Sequence, residues 1–337
     1  MDNQHILVTG GCGFIGSNFI RHMLSSYDHH ITNLDKLTYA GNLENLKDIE
    51  ANPRYRFVRG DIAEKADVDH IFEEEIDVVI NFAAESHVDR SIINPDDFVN
   101  TNIYGTYCLL ERARKKGVKK FVQVSTDEVY GSLGATGKFR EDTPIAPNSP
   151  YSASKASADM LALAYFHTYG MPVTVTRCSN NYGPYQFPEK LIPLLVSNAF
   201  EGRELPIYGD GLNVRDWIHV NDHCAAIALA AEKGKPGEVY NVGAENERTN
   251  LEIVELILAI MEKPRSLIKY VKDRPGHDRR YAIDNTKIRR QLGFEVTTPF
   301  KTGMEETVKW YMDNKGWWER IKSGEYMKYY EAWYGNR

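Results

Sequence analysis

Tyr151 and Lys155 stand four residues apart in a stretch of helical character, so their side chains share one helix face and can reach the same bound hydroxyl. A phenol with an ordinary pKa of about 10 must lose its proton to act as a base, and a neighbouring ammonium, helped by the charge of an oxidised nicotinamide, stabilises the tyrosinate. Lys155 is the candidate ammonium. Thr126, just after a strand-like run at 121–125, offers a hydroxyl to the same oxygen, which completes a set suited to alcohol oxidation. Asp127 and Glu128 follow at once, two adjacent carboxyl groups that burial and like-charge coupling could drive to different pKa values, one acid and one base. The bland alternatives are a surface tyrosine, a solvated lysine and a loop pair of carboxylates. Because YxxxK is common by chance, the set gains meaning only from the elements that position it.

Short β-type runs at 6–9, 31–35, 55–59, 78–81, 120–125 and 173–177 alternate with helical stretches at 17–24, 66–74, 101–116 and 151–169. That alternation predicts an α/β fold, a Rossmann-type doubly wound parallel sheet whose ligand sits beyond the carboxyl ends of its strands. After the first strand, Gly10, Gly13 and Gly16 enclose Phe14 and Ile15 in a GxxGxxG spacing that opens a helix, where backbone amides can face a pyrophosphate. Alone, such a pattern is weak. Asp35 ends the second strand, where a carboxylate accepts from ribose hydroxyls and repels the extra phosphate of NADP, so NAD is the expected cofactor. Asp61 and Ile62 end the third strand, and Ala83, Ala84 and Glu85 follow the fourth, placed to border the same dinucleotide.

The second half is richer in Pro and Gly and less regular, and it reads as a smaller substrate-binding part. The expected division is a NAD-binding region over 1–178, with return segments near 212–243, and a mainly substrate-binding region over 179–337; residues 237–242 read as a buried strand that rejoins the sheet. With 337 residues, 42% hydrophobic and 26% charged, the chain can bury one large core or two modest ones. The formal charge of −6 speaks against nucleic acid, which needs a concentrated cationic surface. Cys12, Cys108, Cys178 and Cys224 are too scattered for a disulfide scaffold or a metal site. No signal-peptide pattern or membrane-length apolar run is visible, so a soluble, cytoplasmic protein is expected. His22, His29, His30 and His70 lack metal spacing, and the tryptophans between 310 and 318 read as packing.

The glycine loop, the run Ser125-Thr126-Asp127-Glu128-Val129-Tyr130-Gly131 and the YxxxK helix together resemble the extended short-chain dehydrogenases that modify sugar nucleotides. The likeness extends over nearly the whole chain. It includes Ala83-Ala84-Glu85-Ser86-His87-Val88-Asp89, Cys178-Ser179-Asn180-Asn181-Tyr182-Gly183-Pro184, Asn213-Val214-Arg215-Asp216-Trp217 and Asp273-Arg274-Pro275-Gly276-His277-Asp278, segments more specific than the glycine loop.

Within that family the likeness is greatest to dehydratases that act on dTDP-glucose. The resemblance implies oxidation at C4, loss of water across C5 and C6, and hydride return to C6, with Asp127 as acid and Glu128 as base. It also implies that Lys36, Leu37, Thr38, Phe82, Ser86, Thr101 and Asn181 join the cofactor site. Asn180, Glu189, Lys190 and Leu191, with Ser86 and His87, would line the sugar and phosphates; Pro206, Ile207 and Tyr208 would flank the base; Arg215, Asn250, Arg274, His277 and Asp278 would surround the diphosphate. A homodimer through 101–116 and 151–169, and a place in deoxysugar synthesis such as that of rhamnose, are further implications. A UDP-sugar 4-epimerase, a dehydratase of another nucleotide hexose such as GDP-mannose, and a non-catalytic dinucleotide sensor are the rivals. Neither the epimerase nor the sensor needs Asp127 beside Glu128. Arg279 and Arg280 adjoin the last segment without an assigned role.

Overall fold

The computed structural model describes residues 3–322 of the chain, so the last part of the expected second region, 323–337, lies outside the described residues. The strands are β1 His5–Thr9, β2 His30–Asp35, β3 Tyr55–Arg59, β4 Val78–Asn81, β5 Lys120–Thr126, β6 Val173–Cys178, β7 Asn180–Tyr182, β8 Leu205–Tyr208, β9 Val214–His219, β10 Val239–Val242, β11 Glu247–Thr249 and β12 Ile268–Val271. The helices are α1 Phe14–Ser26, α2 Lys65–Ile71, α3 Val88–Ile93, α4 Asp96–Phe98, α5 Thr106–Lys116, α6 Pro150–Tyr169, α7 Leu191–Glu201, α8 Val220–Lys233, α9 Asn250–Ile260, α10 Thr286–Leu292, α11 Phe300–Asp313 and α12 Lys315–Lys322.

Seven parallel strands form one sheet in the order β10-β6-β5-β4-β1-β2-β3, a doubly wound α/β architecture that reverses direction between β1 and β4. Alternate side chains of each strand serve opposite faces. Leu7, Val79, Phe121 and Val173 pack with residues of α2, α5 and α6 on one side, whereas Ile6, Val8, Ile80 and Val122 pack with α1 and α8 on the other. Burial on both faces explains why these strands read as apolar runs rather than as alternating patterns. The first six strands match the expected runs to within one residue, and β10 rejoins the sheet beside β6 as the 237–242 run predicts.

Two helices differ from expectation. The run at 66–74 stops at Ile71, before Glu73, Glu74 and Glu75, whose like charges disfavour continuation. The run at 101–116 is α-helical only from Thr106; Val99–Gly105 is a π-helical segment, and the wider turn sends Asn102 back to the loop after β4.

Beyond the sheet, β7, β9 and β11 form a small second sheet, and β8 pairs with β12. A separate apolar cluster joins α7, α9, α11 and α12, with Trp317 and Trp318 buried inside it and Trp310 packed on its edge, so the tryptophans serve packing. No helix among the described residues is long and apolar enough to cross a membrane.

Candidate active site

Two local features place the reactive set. Ser149 caps α6 through a reciprocal box with Ser152, and Pro150 pre-sets the first helical turn, which fixes Tyr151 and Lys155 against the end of β5. At the other side of the site, Thr126 closes β5 and caps a short 3-10 turn over Asp127–Tyr130, its hydroxyl accepting from the Glu128 amide at 3.3 Å. Gly131 ends that turn at φ 82°, where a Cβ would strike the Ala146 carbonyl oxygen at 2.3 Å.

One cleft at the carboxyl ends of the strands brings most expected residues together. It is lined by the Gly10–Gly16 loop, Asp35, Lys36, Thr38, Asp61, Ile62, the 82–86 loop and Thr101, and then by Thr126, Asp127, Glu128, Tyr151, Lys155, Asn180, Asn181, Glu189, Lys190 and Leu191. Leu37 is not among the lining residues; its left-handed backbone (φ 58°) turns the chain while its side chain packs on the apolar face under α1. Ile207 is likewise a core side chain. Asn250 starts α9, with its amide on the Asn213 carbonyl at 3.0 Å.

The first end of the cleft fits a dinucleotide. A Cβ on Gly10 would meet Ala83 N at 2.7 Å and one on Gly16 would meet Gly10 O at 2.5 Å, so only glycines permit the close approach of loop and helix. No side chain caps α1 and no acidic residue sits in its first turn, which leaves its positive end available to phosphates. The buried Asp35 carboxylate accepts from the amides of Cys12 and Leu37, each at 2.8 Å, and thereby ties the glycine loop to the end of β2. Lys36 pairs with Asp61 at 2.6 Å. Asn102, which the sequence reading missed, holds the 82–86 loop by accepting from Glu85 N at 2.8 Å and donating to Glu85 O at 3.0 Å and to Ser154 Oγ at 2.8 Å.

At the other end lie two carboxyl groups of unlike surroundings. Burial, then Glu128 and Asp216, push Asp127 well above the usual carboxylate range. Thr126 donates to its Oδ1 at 3.4 Å, while its buried Oδ2 has no hydrogen-bond partner. Burial also raises Glu128, as does Asp278, but the larger neighbouring charges are cations: Arg274, Arg215 and Lys190 all favour its ionised form. The Tyr151 phenol is held well above its ordinary pKa by burial and by Glu128, so it rests protonated. Lys155 donates to the Val124 carbonyl at 2.7 Å. The ammonium is thus anchored to the strand rather than spent in a hydrogen bond to the phenol.

The remaining expected residues, apart from Glu189 and Lys190, are not among those lining the cleft, and their own contacts place them. Asp89, a buried carboxylate on α3, accepts from Arg274 Nη1 at 3.0 Å and from the Tyr208 hydroxyl at 3.1 Å, which links the sheet half to β8 and the 273–278 loop. Arg215 donates to the Asp278 carbonyl at 2.9 Å and stacks over Tyr281 at 4.2 Å. His277 pairs with Asp273 at 2.6 Å. Glu189 is paired with Arg90 at 3.1 Å, and Lys190 donates to the Ser86 carbonyl at 2.7 Å. His87 is buried and held well below its ordinary pKa, first by burial and then by Lys190 and Arg274, so its ring is neutral. Of the two unassigned arginines, Arg279 forms an exposed pair with Asp210 and Arg280 pairs with Glu247. Asp89 and Asp216 stood inside segments that carried the resemblance, but nothing in their spacing signalled their partners.

Comparison with known proteins agrees with this geometry. Residues 7–307 match the model of the GDP-mannose 4,6 dehydratase family. A dTDP-glucose 4,6-dehydratase of Xanthomonas campestris pv. campestris is 52% identical, with 95% of this chain and 96% of the relative covered. A crystal structure of dTDP-glucose 4,6-dehydratase from Bacillus anthracis in complex with NAD is similar at a TM-score of 0.89 and 55% identity, covering 95% of this chain and all of that one (100%). A dTDP-glucose 4,6-dehydratase from Streptomyces venezuelae with NAD and TYD bound gives 0.92 and 49%, covering 94% and 100%.

Proposed function

Since this chain belongs to the GDP-mannose 4,6 dehydratase family, we propose that it is the member that converts dTDP-glucose into dTDP-4-dehydro-6-deoxyglucose, an NAD-dependent hydro-lyase. The observation that carries the reading is the pair of carboxyl groups at the end of β5, in one cleft with Thr126, Tyr151 and Lys155: around Asp127, Glu128 and Asp216 outweigh Arg215 and favour the protonated form, while around Glu128, Arg274, Arg215 and Lys190 outweigh Asp278 and favour the ionised one. A 4-epimerase has no use for a proton-holding carboxyl group beside an ionised one.

NAD, when bound along Gly10–Gly16 and Asp35, supplies the hydride acceptor and donor of a cycle that is redox-neutral overall. Tyr151 takes the proton of the C4 hydroxyl, with Thr126 hydrogen-bonded to the same oxygen, and Lys155 contributes the positive charge that lets the phenol ionise. The C4 ketone acidifies the C5 hydrogen. Glu128 removes that proton, and Asp127 gives its own to the departing C6 hydroxyl, which leaves as water. Glu128 then returns its proton to C5 and ends as it began, whereas Asp127 is left ionised and Tyr151 holds the proton taken from the C4 hydroxyl, so that one proton lost from Tyr151 and one gained by Asp127, exchanged with solvent, restore the starting state. Arg215 and Arg274 present planar guanidinium groups to the diphosphate, with His277, Asp278 and Asn250 around them, and Tyr208 and Pro206 border the base.

We assign the cofactor to the region 1–178 with its return near 212–243, and the nucleotide sugar mainly to 179–337. A cytoplasmic homodimer through α5 and α6 belongs to the same proposal. Exposed Met160 and Tyr169 on α6 and Tyr104 in the π-helical turn before α5 support it, because large apolar side chains in open water mark a surface that another copy can cover. The product has the chemistry of a deoxysugar precursor, such as one of rhamnose.

Incubating the protein with dTDP-, UDP- and GDP-glucose without added reductant tests reaction and base preference together. A 4-keto-6-deoxy product from the dTDP sugar is expected; a C4 epimer, or turnover only with another base, refutes the proposal. The pH profile gives a second test. Glu128 must be ionised, so the rate rises as pH climbs through its raised pKa; Asp127 must be protonated, so the rate falls as pH climbs through its own, which burial and its carboxylate neighbours hold well above the usual carboxylate range. A bell displaced to the alkaline side of the usual carboxylate range is expected, and Asp127→Asn should remove its descending limb from the residual activity. A descending limb that survives in that variant assigns the acid elsewhere.

A further inference from the structure

Tyr151, Lys155 and Asp159 recur at four-residue spacing along α6, so the row on which the oxidation pair lies continues one turn deeper. All three are buried, and Asp159 is fully enclosed. Its Oδ2 accepts from Arg177 Nε of β6 at 2.9 Å, while Oδ1 has no hydrogen-bond partner. Arg177 is itself braced by the Tyr130 hydroxyl at 3.0 Å, and that hydroxyl donates to Asn241 Oδ1 of β10 at 2.8 Å. None of Asp159, Arg177, Tyr130 and Asn241 is among the residues that line the cleft.

A buried ammonium without an opposing charge is expensive enough that the group surrenders its proton instead. Lys155 would be in that position without Asp159. Its hydrogen bond goes to an uncharged carbonyl, and burial lowers its pKa, with Asp159 as the first charge that opposes the shift. The other groups facing it do not replace Asp159. Tyr151 on the same helix is protonated; Cys178 on β6 is pushed up to about 12 and stays a neutral thiol; Asp127, beyond Cys178, holds its proton. Around Asp159 stand Arg177 from β6, the Ser125 hydroxyl from β5, and Tyr130, whose phenol is pushed up to about 12 and is neutral. Burial raises Asp159, and against it Arg177, paired at 2.9 Å, is the first charge that favours the ionised carboxylate, with Lys155 one helical turn away acting in the same direction.

We propose that Asp159 is the buried counter-ion of Lys155, a positioning residue held by Arg177 and Tyr130 that keeps the ammonium charged and so sets the pH at which Tyr151 can act. This rests on the assignment of Tyr151 and Lys155 as the oxidation pair. The sequence form of the unit is YxxxKxxxD.

The test uses the whole protein labelled with ¹⁵N-lysine, the Lys155 Nζ resonance being assigned by its loss in Lys155→Met. In Asp159→Asn its titration midpoint should fall by about one pH unit or more, and the pH at which single-turnover NADH formation reaches half its maximum should move to the alkaline side, leaving about tenfold less rate at neutral pH. Asp159→Asn strands Arg177, so the charge-balanced pair Asp159→Asn/Arg177→Met is measured beside it, with Asp159→Glu as the conservative rescue. The same two shifts in the double variant, reversed in Asp159→Glu, support the proposal. An unmoved Lys155 titration, or a double variant with the parent's pH profile, overturns it and leaves Asp159 a packing residue. Full oxidation by Lys155→Met would instead refute the underlying assignment.

Discussion

Glu128→Gln and Asp127→Asn will each still oxidise dTDP-glucose, seen as a rise in NADH absorbance, while formation of the 4-keto-6-deoxy product slows by about 10²–10⁴-fold, the usual loss when a positioned acid or base is removed. The reason lies in the separation of tasks. The proton of the C4 hydroxyl goes to Tyr151, which neither substitution touches, whereas the C5 proton and the C6 hydroxyl each need a carboxyl group. The two variants should differ in stability. Asp127 already prefers its neutral form, because folding buries it against Glu128 and Asp216. A carboxyl group whose folded pKa is raised costs stability at any pH above its unfolded value, and asparagine cannot carry that charge. Thermal unfolding of Asp127→Asn should therefore occur no lower than in the parent at neutral pH. Loss of the NADH signal together with the product in both variants, or unimpaired product formation in both, sinks the assignment of the pair.

Tyr151→Phe should have the larger and earlier effect: no NADH signal and product formation down by about 10²–10⁴-fold or more, since no later step can begin without the C4 ketone. The ring remains, so its edge contact with Phe98, 6.3 Å between centroids, survives. Only the phenolic oxygen is lost, and with it the proton acceptor on C4. Rapid mixing with excess dTDP-glucose distinguishes the two sites: an NADH transient without product marks the carboxylates, and neither signal marks the tyrosine. An NADH transient of normal rate in Tyr151→Phe would move the base to another residue and leave Thr126 as the remaining hydroxyl near O4.

The strands were legible because a parallel sheet covered on both faces needs apolar runs, and such runs are local. Gly10 and Gly16 were legible for a similar reason: a Cβ there collides with the residues after β4 or within the loop, so residue type reports geometry directly. The Tyr151–Lys155 spacing identified a shared helix face. The division of 99–116 into a π turn and α5 was not legible, since the wide turn is fixed by the bonds of Asn102 to Glu85 and Ser154, side-chain and backbone partners distant along the chain.

From the sequence alone came the sheet, the dinucleotide loop, the candidate quintet Thr126, Asp127, Glu128, Tyr151 and Lys155, and, through resemblance, the class of reaction. What only the tertiary structure decided is the electrostatic division between the two carboxyl groups. Adjacent residues have the same local surroundings in sequence, and their difference comes from elements far away: Asp216 of β9 acts on Asp127, Arg274 and Lys190 act on Glu128, and Arg215 acts on both. Asp89 and Arg274 lie 185 residues apart, yet their contact helps to hold one of those cations in place. Charge acts through space over a few ångströms, whereas sequence spacing specifies neighbours only within a helix or strand; once elements fold against one another, the fold alone sets which charge faces which carboxylate.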